Sequence, residues 1–175
     1  MTNNEKITDR EEMLKAFKNN AFALEDADDS LKADREFMLE AVKNNGWMLQ
    51  YADDSLKADR KLVLEAVRND GYALQYADDT LKADREVVLE AVRNDNLGFA
   101  LQYADDTLKA DREVVLEAVK QVGFALEFAD DTLKVDREFV REAVKNDGEA
   151  LQYASEELKN DPELQKIRAS LNKTG

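Results

Sequence analysis

The sequence predicts an all-α fold, an α-solenoid of about six 25-residue helical-hairpin repeats with a C-terminal capping helix. Three observations predict it. First, an Asp recurs at Asp9, Asp34, Asp59, Asp84, Asp111, Asp136 and Asp161, in steps of 25, 25, 25, 27, 25 and 25 residues. Self-similarity at a fixed period of this size marks architectures in which each unit buries its apolar face only against its neighbours. Second, Gly (6) and Pro (1) are scarce in 175 residues, while charged residues make up 37% and apolar ones 43%. That profile suits helices rather than sheets or disorder. Third, apolar residues fall at helical spacing within each copy, as at Val63, Ala66 and Val67 and again at Val88, Ala91 and Val92. The array is expected over 9–160, in copies 9–33, 34–58, 59–83, 84–110, 111–135 and 136–160. Tails 1–8 and 172–175 flank it, with the capping helix at 161–171.

Each copy opens with a helix capped by the marker Asp. In the last, Pro follows directly, as Asp161-Pro162. Asp is a favoured N-cap, and Pro suits the first helical position, where its missing N–H is not required. Elsewhere Arg follows the marker and Glu usually comes next, placing negative charge at the positive end of the helix dipole. Gly46, Gly71 and Gly148 stand where this helix closes, and the expectation is a left-handed C-terminal cap. A second, shorter helix follows, as in Trp47-Met48-Leu49-Gln50-Tyr51-Ala52. Then comes an acidic pair, Asp53-Asp54, whose first member is expected to cap a single turn leading into the next copy. Ser155, another good cap, takes that slot in the last copy.

The end copies carry polar residues at positions that are apolar inside the array. Glu12 replaces Phe37, Leu62, Val87 and Val114. Arg141 replaces Leu39, Leu64, Leu89 and Leu116, and Glu149 replaces Trp47, Tyr72, Phe99 and Phe124. Terminal units of a solenoid need such polar outer faces for solubility. The 27-residue step comes from Asn96-Leu97, inserted before Gly98, and should place a small bump on one edge.

Composition removes several functional classes. With no Cys and no His, there is no disulfide framework, thiolate metal site or imidazole base. A reducing, cytoplasmic setting is expected. The opening MTNNEKITDR has no apolar stretch resembling a secretory signal. No run approaches the roughly 18 apolar residues of a membrane span. The net charge of −14 repels phosphates and anionic lipids, so neither direct nucleic-acid binding nor membrane binding is expected.

Three constellations are candidates for chemistry or recognition. The acidic pairs Asp28-Asp29, Asp53-Asp54, Asp78-Asp79, Asp105-Asp106 and Asp130-Asp131 could offer oxygens to a divalent cation. They lack the spacing of an EF-hand loop, and capping with helix-dipole preference explains them. An aromatic ladder has one row at Trp47, Tyr72, Phe99 and Phe124. A second row lies at Tyr51, Tyr76, Tyr103, Phe128 and Tyr153. The four-residue offset is expected to put both rows on one face of the second helix, for packing between copies, with part of the Tyr row left for binding. Arg35, Arg60, Arg85, Arg112 and Arg137, with Lys32, Lys57, Lys82, Lys109 and Lys134, are expected to form ion-pair ladders that set the stacking register. An active site is a single asymmetric constellation, whereas these carboxylates recur in every copy. No enzyme and no cofactor or metal is therefore expected.

The pattern D-x-E-x(4)-A-V-x(3)-G-x(2)-L-x(2)-A-x(3)-L is carried in one copy by Asp34, Glu36, Ala41, Val42, Gly46, Leu49, Ala52 and Leu56. It resembles a tandem short-helical-repeat family of unknown function found in bacteria, protists and large viruses. The resemblance covers Asp9 to about Asp161 and implies an array of short helices, with no functional residue to carry over. The functional expectation is a monomeric protein-binding or scaffolding module whose partner carries a basic patch. Tyr51, Tyr76 and Tyr103 are its candidate contacts, and Asp54, Asp79 and Asp106 supply charge. The alternatives are an acidic mimic of nucleic acid that inhibits a nucleic-acid-binding enzyme, and a purely structural or consensus-like module.

Overall fold

The structure, a computed structural model, describes residues 7–171 and all their side chains except those of residues 18, 19, 21 and 22. The expected tail 172–175, and residues 1–6 of the expected tail 1–8, lie outside the described residues. The protein is an all-α solenoid, and each unit contributes three helical pieces. The long helices are Arg10–Asn19, Arg35–Asn44, Arg60–Asn69, Arg85–Arg93, Arg112–Gln121 and Arg137–Asn146. The second pieces are 3-10 helices: Ala21–Asp26, Gly46–Tyr51, Gly71–Tyr76, Ala100–Tyr103, Gly123–Phe128 and Gly148–Tyr153. Single α-turns complete the units at Asp29–Lys32, Asp54–Lys57, Asp79–Lys82, Asp106–Lys109, Asp131–Lys134 and Glu156–Lys159. The helix Pro162–Leu171 follows the last unit.

Local chemistry explains each piece. Asp34 is extended, and its Oδ1 accepts from the backbone N–H of Glu36 and of Phe37, both at 2.9 Å. Two of the helix's orphan donors are satisfied this way. The helix then buries Phe37, Met38, Ala41 and Val42 completely. Asn45 ends it in an extended conformation, donating its N–H to the Ala41 carbonyl, while its own side chain accepts from Trp47 N–H at 3.0 Å. One residue thus closes the long helix and opens the 3-10 helix. Asp53 caps the α-turn, accepting from the backbone N–H of Ser55 at 2.9 Å and from its hydroxyl at 2.6 Å.

Long helices pack on long helices and 3-10 helices on 3-10 helices, and the core is continuous between the two layers. The α-turns are stitched by backbone. The N–H of Asp53 donates to the Lys32 carbonyl, Asp78 to Lys57, Asp105 to Lys82 and Asp130 to Lys109, at 2.9–3.0 Å. Ile7 takes the equivalent place before the first unit, accepting from Asp28 N–H at 2.9 Å in a parallel bridge with Ala27. Arg ladders also link the units. Arg60 pairs with Asp84 and Glu86, Arg85 with Asp111 and Glu113, and Arg137 with Asp161 and Glu163. At Asp59, Asp84, Asp111, Asp136 and Asp161 the marker therefore caps its own helix and pairs with the Arg of the preceding unit, whereas Arg10 reaches Glu36 and Glu40 instead of Asp34.

Three expectations need correction. Gly46, Gly71 and Gly148 are not left-handed caps, since Gly98 alone has a positive φ (80°) among the described residues. Gly is needed at 46 and 71 because the next unit comes too close. A Cβ on Gly46 would collide with the Ala66 carbonyl oxygen, and one on Gly71 with that of Ala91. Second, the shorter helix is 3-10 rather than α, so a four-residue offset does not align its two aromatic rows on one face. Third, Arg141 and Glu149 do not present bare outer faces. Arg141 pairs with Glu163 at 3.0 Å, and Glu149 with Arg168 at 3.1 Å, both on the final helix. Glu12 is exposed, as its polarity requires.

Candidate functional site

The aromatic rows meet between units. Trp47 stacks on Tyr72 at 5.1 Å between ring centroids and meets Tyr76 edge-on at 6.2 Å. Tyr72 meets Tyr103 edge-on at 5.4 Å, and Phe124 meets Tyr153 in the same way at 5.4 Å. Phe99 and Phe124 continue the contact at 5.1 Å. Among the described residues, only Phe124 and Phe128, also at 5.1 Å, touch within one unit. Such offset and edge contacts each add about 0.5–1.5 kcal/mol beyond area burial. The ladder is therefore a stacking element first.

Part of it reaches the surface. Tyr51, Tyr76 and Tyr103 are half-buried. The Tyr103 hydroxyl donates to the Tyr72 hydroxyl at 2.9 Å, and this bond, with burial, pushes the Tyr103 phenol up to about 12. Burial, then Tyr72, raises the Tyr76 phenol, and burial, then Glu25, raises that of Tyr51. Asp54, Asp79 and Asp106 have side chains 98%, 96% and 94% exposed, each pairing with the Lys of its own turn at 3.1–3.2 Å. A shallow hollow of about 280 Å³ brings Asp54, Asp79 and Tyr76 together with Lys57. Tyr51, Tyr103 and Asp106 do not line it.

The first acids of the pairs are committed to structure. The Ser55 hydroxyl holds Asp53 below the usual carboxylate range. The Thr hydroxyls do the same for Asp78, Asp105 and Asp130. Among the described residues, no group of three carboxylates is placed to hold a metal ion.

A second hollow escaped sequence reasoning. The Asn96-Leu97 insertion does protrude, with Leu97 65% exposed, but it also walls a hollow of about 410 Å³. Trp47, Tyr72 and Phe99 line that hollow with Asp70 and Asp95. Asp95 is 4% exposed, and the lengthened turn folds around it. Its carboxylate accepts from Leu97 N–H at 2.9 Å and from Ala100 N–H. Asp70 accepts the Trp47 indole N–H at 2.6 Å and the Tyr72 backbone N–H at 2.9 Å. The available signal was the break in period, which predicted a protrusion but not what it would enclose.

Among the described residues, no helix is long and apolar enough to cross a membrane. No curated protein and no solved structure matches the chain. A family model matches four times in tandem, at residues 9–57, 59–97, 84–134 and 136–170. The chain therefore belongs to the family described as Domain of unknown function (DUF4116).

Proposed function

We propose that this protein is a non-enzymatic, monomeric protein-binding or scaffolding module whose acidic face takes an extended partner with a basic patch. The carrying observation is the exposure of Asp54, Asp79 and Asp106, with Asp54 and Asp79 sharing a shallow hollow with the half-buried Tyr76. A solenoid repeats the exposed acid at regular intervals, which suits an extended chain. Exposed carboxylates steer a basic partner and set its orientation, while the rings supply contact area. Repetition in every unit supports binding over catalysis, and the absence of Cys suits a cytoplasmic setting.

The test is capture of partners from nuclease-treated lysate on the tagged chain, at about 0.15 M and 0.5 M salt, between which the Debye length falls from about 8 Å to about 4 Å. A parallel capture uses the triple variant Asp54→Asn, Asp79→Asn and Asp106→Asn, and a third uses Tyr76→Ala. A protein retained by the native chain at low salt, and lost at high salt and from both variants, supports the reading. Capture of a nucleic-acid enzyme in competition with its nucleic acid would point to mimicry. Nothing above background in either salt would leave a structural module.

A further inference from the structure

The hollow at the insertion has the chemistry of a cation site. Elsewhere in the array, carboxylates at helix starts meet an Arg from the neighbouring unit, as Asp59, Asp84 and Asp161 do. Asp70 and Asp95 accept only N–H donors, and among the described residues neither has a Lys or Arg in ion-pair range. No cation lines the hollow. By contrast, the hollow between the helices Arg35–Asn44 and Arg60–Asn69 is lined by Arg35, Lys43, Lys61 and Arg68. Carboxylates set in a concave, ring-walled site focus a negative field, and aromatic faces attract a cation that approaches them. The volume of about 410 Å³ falls in the range of sites that enclose a small ligand or one long side chain.

We infer that this hollow seats one arginine side chain of the basic partner. The planar guanidinium stacks against the rings at Trp47 and Tyr72 and pairs with the remaining lone pairs of Asp70. Asp95, too buried to be touched, contributes its charge. A guanidinium suits the site better than an ammonium because it stacks and presents its donors in one plane. Leu97 covers the alkyl stem. The inference rests on the reading of a basic partner and adds where one of its side chains is anchored.

Trp47 is the sole tryptophan of the chain, so its fluorescence reports on the hollow directly. The full chain is titrated with acetyl-arginine amide and, at matched ionic strength, with the neutral isostere acetyl-citrulline amide. Saturable change with arginine alone is expected. Deleting Asn96 and Leu97 restores the 25-residue unit that the rest of the array uses. It should keep the helical circular dichroism and weaken arginine binding by about tenfold or more. Leu97→Ser and Asp70→Asn are smaller changes that should weaken it in the same direction, and they serve if the deletion does not fold. Equal response to citrulline, or arginine binding untouched by all three changes, overturns the inference. Partner capture lost from the Asp54, Asp79 and Asp106 variant but unaffected by the deletion would overturn the anchor and leave the acidic-face reading standing. Arginine binding intact with no partner captured would instead overturn that reading and leave a free-cation site.

Discussion

One methyl group decides how closely two units approach. A Cβ at residue 71 would run into the Ala91 carbonyl oxygen and come within 2.9 Å of the Asp95 Cβ. Both belong to the next unit's helix end and cannot swing away. At residue 148 the nearest atom is Arg168 Cγ at 3.3 Å, on a flexible side chain. Gly71→Ala should therefore destabilise the protein by about 1–3 kcal/mol, as overpacking in a fitted interior does. Gly148→Ala should cost much less. Urea unfolding of the two variants side by side checks this, and equal losses would show that Gly71 is needed for some other reason.

At the scale of one helix, the marker Asp has two duties that can be separated. Asp84 accepts from the N–H groups of Glu86 and Val87 at 3.0 and 3.1 Å and takes Arg60 Nε at 2.8 Å. Asp84→Ala removes both duties and should cost about 1–2 kcal/mol, the range for loss of a good cap. Asp84→Asn keeps the capping oxygen and loses the charge. Because half-exposed ion pairs contribute little, it should retain most of the stability. If denaturant midpoints fall equally for both, the ladder rather than the cap dominates. The ladder is also uneven. Lys61 stands where Glu86, Glu113 and Glu138 stand in other units, so Arg35 pairs with Asp59 and lacks the second carboxylate that Arg60, Arg85 and Arg137 have.

For the whole molecule, pH sets two opposing trends. The chain carries −14 at pH 7 with an isoelectric point near 4.5, so mild acidification relieves self-repulsion. Against this, Arg35, Arg60 and Arg137 hold Asp59, Asp84 and Asp161 below the usual 3.8, and the Ser or Thr hydroxyls do the same for Asp53, Asp78, Asp105 and Asp130. A carboxylate depressed on folding contributes fully above its unfolded value, and that contribution is lost as pH falls through the folded one. Thermal stability should rise from pH 7 toward about 5 and drop steeply below about 4. At the other extreme, the Tyr103 phenol is raised from 10 to about 12, so its contribution is present below pH 10 and lost on the way to 12. Melting curves across pH, with phenolate absorbance at the alkaline end, check both limbs. A flat acid limb would mean that the caps and ladders contribute nothing net.

The sequence by itself determined the repeat, the start of every long helix and the residues that face inward. These follow from local rules: an Asp cap needs only the N–H groups two and three residues on, and an apolar stripe needs only helical spacing. The first Asp of each pair and the Pro162 helix start were legible for the same reason. Tertiary structure decided what depends on the neighbouring unit. Gly46 and Gly71 read as caps until the approaching carbonyls of Ala66 and Ala91 showed why no Cβ fits. The aromatic rows read as one helical face, whereas nearly all their contacts cross between units and the piece that carries them is a 3-10 helix. Asn96-Leu97 read as a bump, and only the positions of Trp47 and Tyr72 from two other units turn it into the wall of a hollow. A period specifies what each residue does within its own 25, but a cavity is bounded by residues far apart in the chain, and its shape belongs to the stack.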